Sequence, residues 1–286
     1  PCPRGLENLL VDELGALGAR GAQAVHGGVG WQGDWATCQR ANLESRLATR
    51  VMWQVAQGRY RAEVDIYKLA YSVTWAKWFT ADDTIRIYVT ARKSPLKSLE
   101  FITLRIKDAV ADRFRERAGG VRPSIDTQRP DVRVHLHLTA QDATLYIDTS
   151  GEPLFKRGWR VDKGDAPLKE TLAAAMIAAT GWNPHGDAPL PLYDPCCGSG
   201  TVVIEAAQMA CRIAPGLLRR FAFEQLLPYQ AHVWHAIKDE AAGAVTTASV
   251  PIFGSDVAHR MVDFAQRNAE RAGVAASVQL DRKSTR

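Results

Sequence analysis

Apolar positions in the first part of the chain follow helical spacing in three stretches. Leucines share one face of residues 3–18, which predicts a helix that ends at Gly18. Apolar residues four apart predict a second helix over residues 41–57, and residues 65–78 continue the helical pattern from an N-cap at Asp65. A glycine-rich segment between the first two helices predicts a hairpin-like turn of the chain.

Strict alternation of apolar and polar residues follows, and it predicts strands. Residues 84–91 alternate as a half-buried strand, and residues 131–138 and 143–151 alternate on either side of a short turn, which predicts a hairpin. Between them, residues 100–118 show the clearest helical pattern, with an apolar row at spacing four and basic residues around it. The first part of the chain is therefore predicted to be a mixed α/β unit with a basic helix.

Residues 151–165 show no periodicity and are rich in glycine and charge, which predicts a linker. Beyond it, strand and helix patterns alternate, as in a parallel sheet covered by helices. The predicted elements are a helix at 167–180, a strand at 192–194, a helix to about 213, a strand at 251–256, a helix at 259–272 and a candidate third strand at 276–280. The predicted fold class is α/β, with an N-terminal region at 1–150, the linker and a second domain at 166–286.

The composition is that of a soluble globular protein, since 46% of the residues are hydrophobic and 23% are charged. The sequence contains no run of 18 apolar residues, so we expect no membrane-spanning helix. Charged residues interrupt the N-terminus, so no signal peptide is expected, and the lack of an initiator Met suggests missing first residues. Five cysteines without a CxxC pair favour a reducing compartment. We therefore expect a cytoplasmic protein with no membrane partner.

The net charge of +5 is concentrated in the first 165 residues, and residues 84–122 hold 10 basic and 4 acidic side chains. Such a local excess favours a polyanionic partner, whereas an ordinary solvated surface explains the charge equally well. The candidate contacts lie on the basic helix: Arg105, Lys107, Arg113, Arg115 and Arg117.

Two pairs of histidines invite a metal-site interpretation. His135 and His137 share one face of a predicted strand, and His232 and His235 lie three residues apart on a predicted helix. Neither pair has a cysteine or carboxylate at ligand spacing, and neither belongs to an HExxH motif. We therefore expect polar outer faces and no metal site.

The stretch YDPCCGSGTVVIEAAQMA, residues 193–210, joins a strand end, a glycine turn and a helix. Gly198 and Gly200 would let the backbone approach a ligand, and the helix N-terminus offers N–H groups to an anion. Cys196 stands where a dinucleotide-binding GxGxxG motif has its first glycine, and no GK[ST] follows as in a P-loop. Asp194 at the strand end instead suits an ammonium group. S-adenosylmethionine carries both an ammonium and a carboxylate, and it is the predicted cofactor.

The next strand also ends in an acid, Asp256, where related folds bind ribose hydroxyls. The interval between the two acids far exceeds the usual ~20 residues, and a long insertion accounts for it. Cys196 and Cys197 stand beside the glycines, and small buried thiols behave as hydrophobes. We interpret both as packing residues that line the cofactor pocket, rather than as nucleophiles or metal ligands.

Short segments along almost the whole chain share the pattern of one family. They are PRGLENLLVDELGALGA, GGVGWQGD, RLATRV, RPDVRVHLHL, IDTSGEPLFKRGWR, APLKETLAAAMI, LYDPCCGSGTVVIEAAQMA, IAPGL and FGSD. With them the chain resembles the N-terminal half of the 23S ribosomal RNA guanine-N2 methyltransferases that carry a THUMP domain, also labelled adenine-specific DNA methylases. The resemblance implies an RNA-binding THUMP module near residues 38–149, followed by a Rossmann-like methyltransferase domain.

The resemblance also implies a reaction, in which a methyl group passes from S-adenosylmethionine to the exocyclic N2 of a guanine in 23S ribosomal RNA. Lys169 and Glu170 match a family segment that lies near the cofactor. The basic helix becomes the expected RNA-binding face. The expected cofactor-binding residues are Asp194, Pro195, Cys196, Gly198, Gly200, Thr201, Asp256 and Lys169.

One feature of the family is absent. Its catalytic motif, Asn-Pro-Pro-Tyr or a close variant, holds the target amino group and stacks on a flipped base, but this sequence contains no Pro-Pro dipeptide. We therefore expect a fragment with an incomplete methyltransferase domain, no catalytic residue and no activity by itself. Three alternatives stay open: a transfer-RNA guanine-N2 methyltransferase of the same architecture, a DNA methylase, and a non-catalytic RNA-binding module.

Overall fold

The computed structural model describes residues 1–117 and 120–282, apart from the side chain of Arg117. The contacts of the chain divide it into two compact units. Unit 1 contains Pro1–Arg50, Glu152–Arg220 and His232–Arg286, and unit 2 contains Val51–Gly151 and Phe221–Ala231. None of the helices in the described ranges is both long enough and apolar enough to cross a membrane.

Helices and strands alternate along most of the described chain. The helices are α1 (Glu7–Ala16), α2 (Trp35–Glu44), α3 (Glu63–Ser72), α4 (Leu99–Arg117), α5 (Glu170–Ala179), α6 (Thr201–Ala210), α7 (Ala231–Gly243) and α8 (His259–Arg271). The strands are β1 (Arg20–Val25), β2 (Gly28–Gln32), β3 (Met52–Arg59), β4 (Thr84–Ala91), β5 (Ser124–Ile125), β6 (Val132–Leu138), β7 (Asp142–Asp148), β8 (Leu192–Asp194), β9 (Ile252–Asp256) and β10 (Val278–Arg282).

Unit 2 is built on a five-stranded sheet with the strand order β3-β7-β6-β4-β5. β7 runs antiparallel to both of its neighbours, whereas β4 runs parallel to β6 and β5. Helices α3 and α4 pack together and contact the sheet, and Ile102 and Ile106 of α4 are fully buried. Alternate residues of β4 and β6, such as Ile85 and Val134, are buried too, so the polar residues between them lie on the opposite face.

Unit 1 contains a three-stranded parallel sheet with the strand order β10-β9-β8. β9 is the central strand of the three, and Leu192 of β8 and Val278 of β10 both pair with its Ile252. Helices α6 and α8 contact these strands, and α5 contacts α6. Val203 and Ile204 of α6 are fully buried in the resulting apolar core. This sheet brings the ends of β8 and β9 to one edge, where the predicted ligand-binding residues lie.

A buried cluster of charges connects residues 1–50 to α6 within unit 1. Glu205 of α6 is fully buried and accepts hydrogen bonds from Arg46 and Arg157, each at 3.1 Å. Glu13 of α1 accepts the backbone N–H of Arg46 at 2.7 Å, and burial raises the pKa of its carboxyl group. Because each buried guanidinium has a carboxylate partner, the cluster avoids the large cost of an unpaired buried charge.

Most of the predicted elements are confirmed. The alternation at 84–91 corresponds to β4, the predicted hairpin corresponds to the antiparallel pair of β6 and β7, and the basic helix corresponds to α4. After residue 190 the order β8, α6, β9, α8, β10 agrees with the predicted parallel sheet. His135 and His137 lie on the half-buried polar face of β6, and the ring of His135 stacks on Tyr88, with the ring centroids 4.7 Å apart.

The helix predicted over residues 41–57 is wrong. α2 ends at Glu44, Ser45 adopts an extended conformation (φ −67°, ψ 126°), and β3 begins at Met52. β3 pairs with β7 over its whole length. Residues 52–59 therefore form a strand because they hydrogen-bond to β7, almost 90 residues away in the chain. The four-residue spacing of their apolar side chains is compatible with a strand as well as with a helix.

The predicted N-cap of α3 is wrong. Asp65 is not the N-cap of α3, because the helix begins at Glu63 and the Asp65 carboxylate accepts the backbone N–H groups of Arg61 and Ala62. Residues 152–165 belong to unit 1 and Gly151 belongs to unit 2, and Trp159 is fully buried. The boundaries at 1–150, 151–165 and 166–286 stay a prediction, while unit 1 combines Pro1–Arg50 with Glu152–Arg220 and His232–Arg286.

Candidate functional site

Two carboxylates meet where β8 and β9 end. The parallel register pairs Asp194 with Gly254, so Asp256 lies two residues beyond this pair on the neighbouring strand. The glycine turn, residues 195–200, follows β8 directly and leads into α6. The carboxyl ends of neighbouring parallel strands are where open α/β sheets bind ligands. The structure thus brings Asp194, Asp256 and the glycine turn together, as the strand–turn–helix pattern predicts.

Both carboxylates also fix the backbone of the turn. Asp194 Oδ1 accepts the N–H of Cys196 at 3.0 Å, and Asp256 Oδ2 accepts the N–H of Gly198 at 3.0 Å. The other oxygen of Asp256 accepts the N–H of Ala258 at 2.9 Å, at the start of α8. Asp256 therefore joins the end of β9 to the middle of the glycine turn.

The electrostatics of the site favour a cationic ligand group. Burial raises the pKa of Asp194 above its ordinary value, and the negative charge of Asp256 raises it further, against the hydrogen bond from Cys196. A positive group that approaches such a carboxylate stabilises its charged form, which burial and the neighbouring charge otherwise disfavour. An ammonium group meets this requirement.

The two glycines of the turn have different surroundings. Gly198 and Gly200 both have positive φ angles, 53° and 88°. A Cβ added to Gly200 would lie 3.0 Å from the Cβ of Ala265 in α8, whereas a Cβ added to Gly198 would meet nothing within 4 Å. Gly200 therefore allows close packing of the turn on α8, and Gly198 leaves its backbone open to an approaching ligand.

The two adjacent cysteines, Cys196 and Cys197, also have different surroundings. Cys197 is buried, and its Cβ would lie 3.2 Å from a Cβ added to Gly254. Burial, together with the charges of Asp194 and Asp256, raises the pKa of Cys197 to about 12, so the thiol stays protonated at neutral pH. Cys197 is thus a packing residue, as predicted. Cys196 is exposed, and the prediction that it also packs is wrong.

Helix α6 begins directly after the turn, with Gly200 as its N-cap and Thr201 as its first residue. Thr201 is buried, and its hydroxyl accepts a hydrogen bond from Arg160 at 2.8 Å. The first N–H groups of a helix lack intrahelical partners, so they can bind an anionic group. The start of α6 therefore adds an anion-binding element beside the two carboxylates.

Lys169 and Glu170 stand at the start of α5 and have different partners. The ammonium of Lys169 lies 5.2 Å from the ring centroid of Phe155. Glu170 is buried, which raises the pKa of its carboxyl group against the opposing charge of Arg160, and its Oε1 accepts the Nε–H of Arg160 at 2.7 Å. Glu170 is thus connected through Arg160 to the start of α6, whereas the structure places Lys169 over an aromatic ring.

Sequence reasoning missed Arg160 because it lies in the segment that was predicted as a linker. Its guanidinium contacts the glycine turn and α5 at the same time, and its Nη2 also donates to the carbonyl oxygen of Leu168 at 3.0 Å. The local sequence lacks periodicity, so pattern analysis had nothing to detect. The Trp-Arg pair at 159–160 was the available signal, since a large aromatic residue is rarely left in a solvated linker.

The predicted RNA-binding residues all belong to α4, and several bind acids of the same helix. Arg105 lies 3.8 Å from Asp108, Arg113 lies 2.9 Å from Glu116, and Arg115 lies 3.2 Å from Asp112. Lys107 is half-buried, and the side chain of Arg117 lies outside the described residues. The guanidinium groups of Arg105 and Arg113 also lie over Tyr67 and Tyr71 of α3. The role of this helix in RNA binding stays a prediction.

Three family models match successive parts of the chain. Residues 1–52 match an RlmL ferredoxin-like domain, residues 60–148 match a THUMP domain, and residues 157–286 match an RMKL-like methyltransferase domain. The THUMP match begins 22 residues after the start predicted from the sequence, and the ferredoxin-like match covers most of the difference.

Relatives and solved structures that are similar to this chain are also described as methyltransferases or methylases. A ribosomal RNA large subunit methyltransferase K/L of Photobacterium profundum is 38% identical over 276 residues, which are 95% of this chain and 38% of the relative. The chain thus spans about two fifths of the length of this curated relative. A crystal structure from Listeria monocytogenes, described as a predicted N6-adenine-specific DNA methylase, has 31% identity and a TM-score of 0.89 over 98% of this chain and 72% of its own. The methyltransferase SMU.472, crystallised with SAH, has 30% identity and a TM-score of 0.86 over 99% of this chain and 75% of its own.

Proposed function

Since the chain belongs to the family of THUMP-containing, RMKL-like methyltransferases, we propose that it binds S-adenosylmethionine and serves the methylation of ribosomal RNA. The observation that carries the proposal is the meeting of Asp194, Asp256 and the glycine turn at the carboxyl ends of β8 and β9. This arrangement offers acids to a cation, open backbone to a ligand and helix N–H groups to an anion. A related methyltransferase of the same fold was crystallised with SAH.

Five residues of the site have tasks that fit their surroundings. Asp194, whose charge is disfavoured by burial and by Asp256, holds the ammonium of the cofactor. The start of α6 at Thr201 binds the cofactor carboxylate, and Asp256 accepts hydrogen bonds from the ribose hydroxyl groups. Gly198 and Gly200 shape the backbone between these groups. Pro195, Cys196 and Lys169 complete the proposed set of cofactor-binding residues.

The cofactor, when bound, supplies a methyl group on a sulfonium centre. The proposed acceptor is the exocyclic N2 of a guanine in 23S ribosomal RNA. The name of the curated relatives and the THUMP match support a large-subunit ribosomal RNA substrate, and the family resemblance of the sequence motifs suggests the guanine N2. The THUMP region supplies RNA affinity through basic side chains, including those of α4. No residue of this chain is assigned to the methyl-transfer step itself, since the sequence has no Pro-Pro dipeptide.

Isothermal titration with SAH tests the cofactor site. Asp256→Ala removes a carboxylate that accepts charge-assisted hydrogen bonds, so we expect the affinity for SAH to fall by about 1.5–3 kcal/mol, which is roughly 10- to 150-fold in Kd. Asp263→Ala is the matched control, because Asp263 is an exposed carboxylate of α8 that faces His259. A Kd of the Asp256 variant within about twofold of the unaltered protein would refute the site.

The substrate is tested by methyl transfer from labelled S-adenosylmethionine with the full-length gene product. Unmodified 23S RNA, transfer RNA and DNA are offered separately, and we expect label on guanine N2 of the 23S RNA. Label on transfer RNA or DNA would replace the proposed substrate by one of the alternatives. RNA binding without any transfer would identify a non-catalytic RNA-binding module.

A further inference from the structure

The glycine turn is held from one side by the side chain of Arg160. Its Nη1 donates to Ser199 Oγ at 3.2 Å, and its Nη2 donates to Thr201 Oγ1 at 2.8 Å. Ser199 and Thr201 are the two residues that flank Gly200, and both are buried. A guanidinium presents donors in a fixed planar arrangement, so one side chain fixes two hydroxyl groups on either side of a flexible residue.

The turn is held from α8 by Asn268, which is fully buried. Its Nδ2 donates to the carbonyl oxygen of Ser199 at 3.0 Å and to the carbonyl oxygen of Asp162 at 2.8 Å. Its Oδ1 accepts the N–H of Val161 at 3.3 Å. Asn268 therefore binds the turn and the segment that carries Arg160, so that Ser199 is fixed through its side chain by one element and through its backbone by another.

A turn with two glycines needs such contacts if it is to keep one shape. Gly198 and Gly200 have no side chain to restrict their dihedral angles, and both adopt the left-handed conformation. A flexible turn would lose conformational freedom when a ligand binds, and this loss would weaken the ligand's affinity. A turn that is already ordered in the free protein avoids the loss, which is the effect of preorganisation on affinity.

We propose that Arg160 and Asn268 are positioning residues that preorganise the glycine turn for the cofactor, an inference that rests on the proposed function of this site. Neither residue has to touch the cofactor. Arg160 acts through the hydroxyl groups of Ser199 and Thr201, and Asn268 acts through the backbone of Ser199. Glu170 serves as the counter-charge of the guanidinium, since the side chain of Arg160 is only 12% exposed.

The alternative is that Arg160 only stabilises the fold through its ion pair with Glu170. The two roles differ in what happens to ligand affinity when the protein is still folded. Loss of a purely stabilising contact lowers the melting temperature and leaves the affinity of the folded molecules unchanged. Loss of a positioning contact lowers the affinity, and the size of this effect depends on whether the residue through which the contact acts is still present.

The test is a double-mutant cycle for SAH affinity, measured by titration calorimetry well below the melting temperature of each variant. The variants of the cycle are Arg160→Lys, Ser199→Ala and their combination, and Asn268→Ala is measured beside them. Lysine keeps the charge beside Glu170, but its single ammonium cannot replace a planar guanidinium that contacts two hydroxyl groups. We expect the Kd for SAH to rise about tenfold in Arg160→Lys and the effects of the two changes to be non-additive. Hydrogen exchange at the amides of residues 198–201 should become faster in the free Arg160 variant.

Arg267→Lys is the matched control, because Arg267 binds Asp162 of the same segment and lies on α8 but is exposed. We expect its Kd to stay within about twofold of the unaltered protein. If Arg160→Lys and Asn268→Ala melt at lower temperatures but bind SAH with unchanged Kd, the positioning role is overturned and the proposed function stands. If the unaltered protein does not bind SAH, both are overturned.

Discussion

The glycine turn of unit 1 is held by hydrogen bonds between residues far apart in the chain, whereas the ion pairs of the basic helix α4 of unit 2 are local. Gly198 is bound by Asp256, 58 residues away, and Ser199 is bound by Asn268, 69 residues away. On α4 the ion pairs join residues that are three positions apart, such as Arg113 with Glu116. Long-range contacts fix a geometry between elements, whereas pairs within one helix contribute little and can be rearranged individually.

The ion pairs of the two units also differ in how far they are buried. Glu205, which binds Arg46 and Arg157, has no exposed side-chain surface, whereas Arg115 and Asp112 of α4 are 48% and 41% exposed. A buried ion pair cannot lose one partner without leaving a charge in a poorly solvated place. A surface pair is replaced by water at almost no cost. The following predictions test this contrast, from the largest expected effect to the smallest.

Removal of the buried carboxylate should have the largest effect on stability. Glu205→Ala leaves two guanidinium groups without their shared partner, so we expect the free energy of unfolding to fall by about 3–5 kcal/mol. Urea denaturation measures it. The control is Asp108→Ala on α4, which breaks a 3.8 Å surface pair and should change stability by less than about 1 kcal/mol. Equal effects of the two substitutions would remove the contrast between the two regions.

A side chain at Gly200 should have the next largest effect. Gly200→Ala places a Cβ 3.0 Å from Ala265 and requires a non-glycine residue at a φ of 88°. The backbone contribution alone is about 1–3 kcal/mol. Gly181→Ala is the matched control, since Gly181 has a φ of 70° but open space around its added Cβ. Thermal denaturation should show a larger loss for Gly200→Ala, and a smaller loss would mean that the turn yields to the new side chain.

Neutralisation of α4 should change RNA binding in a salt-dependent way. If Arg105, Arg113 and Arg115 contact phosphates, their joint replacement by Ala should reduce the slope of log Kd against log salt by about one for each lost contact. A triple variant of Arg220, Lys238 and Arg260 removes the same charge from unit 1 and serves as the control. An equal change in both variants would indicate a general charge effect rather than a binding face on α4.

The raised pKa of Asp194 predicts a small effect on stability, opposite in sign to that of Glu205→Ala. Because its pKa is raised above the ordinary value of 3.8, the folded protein binds more protons than the unfolded chain in the pH range just above 3.8. The contribution of Asp194 to stability therefore falls as the pH rises through this range and stays low at neutral pH. Asp194→Asn should raise the free energy of unfolding at pH 7, measured by urea denaturation, and weaken the binding of SAH. A variant that is less stable at pH 7 would contradict the cause assigned to the shift.

Much of the fold and part of the site could be predicted because the signals are local. The alternation in β4 and β6, the apolar row of α4 and the succession of Asp194, Gly198 and Gly200 all lie within one element or one turn. Such patterns reflect the 2-residue and 3.6-residue periods of strands and helices, which any compatible fold must respect. The same holds for Asp256, since it directly follows a strand pattern.

The sequence by itself determined the strand–turn–helix unit, its two acids and the mixed α/β character of the chain, because these depend on the spacing of neighbouring residues. Only the tertiary structure decided that β3 replaces a helix, that Cys197 is buried while Cys196 is exposed, and that Arg160 and Asn268 hold the glycine turn. These outcomes depend on contacts between residues that lie far apart in the chain. No local pattern records which distant strand, helix or side chain will supply the partner, because that choice is made when the whole core is packed.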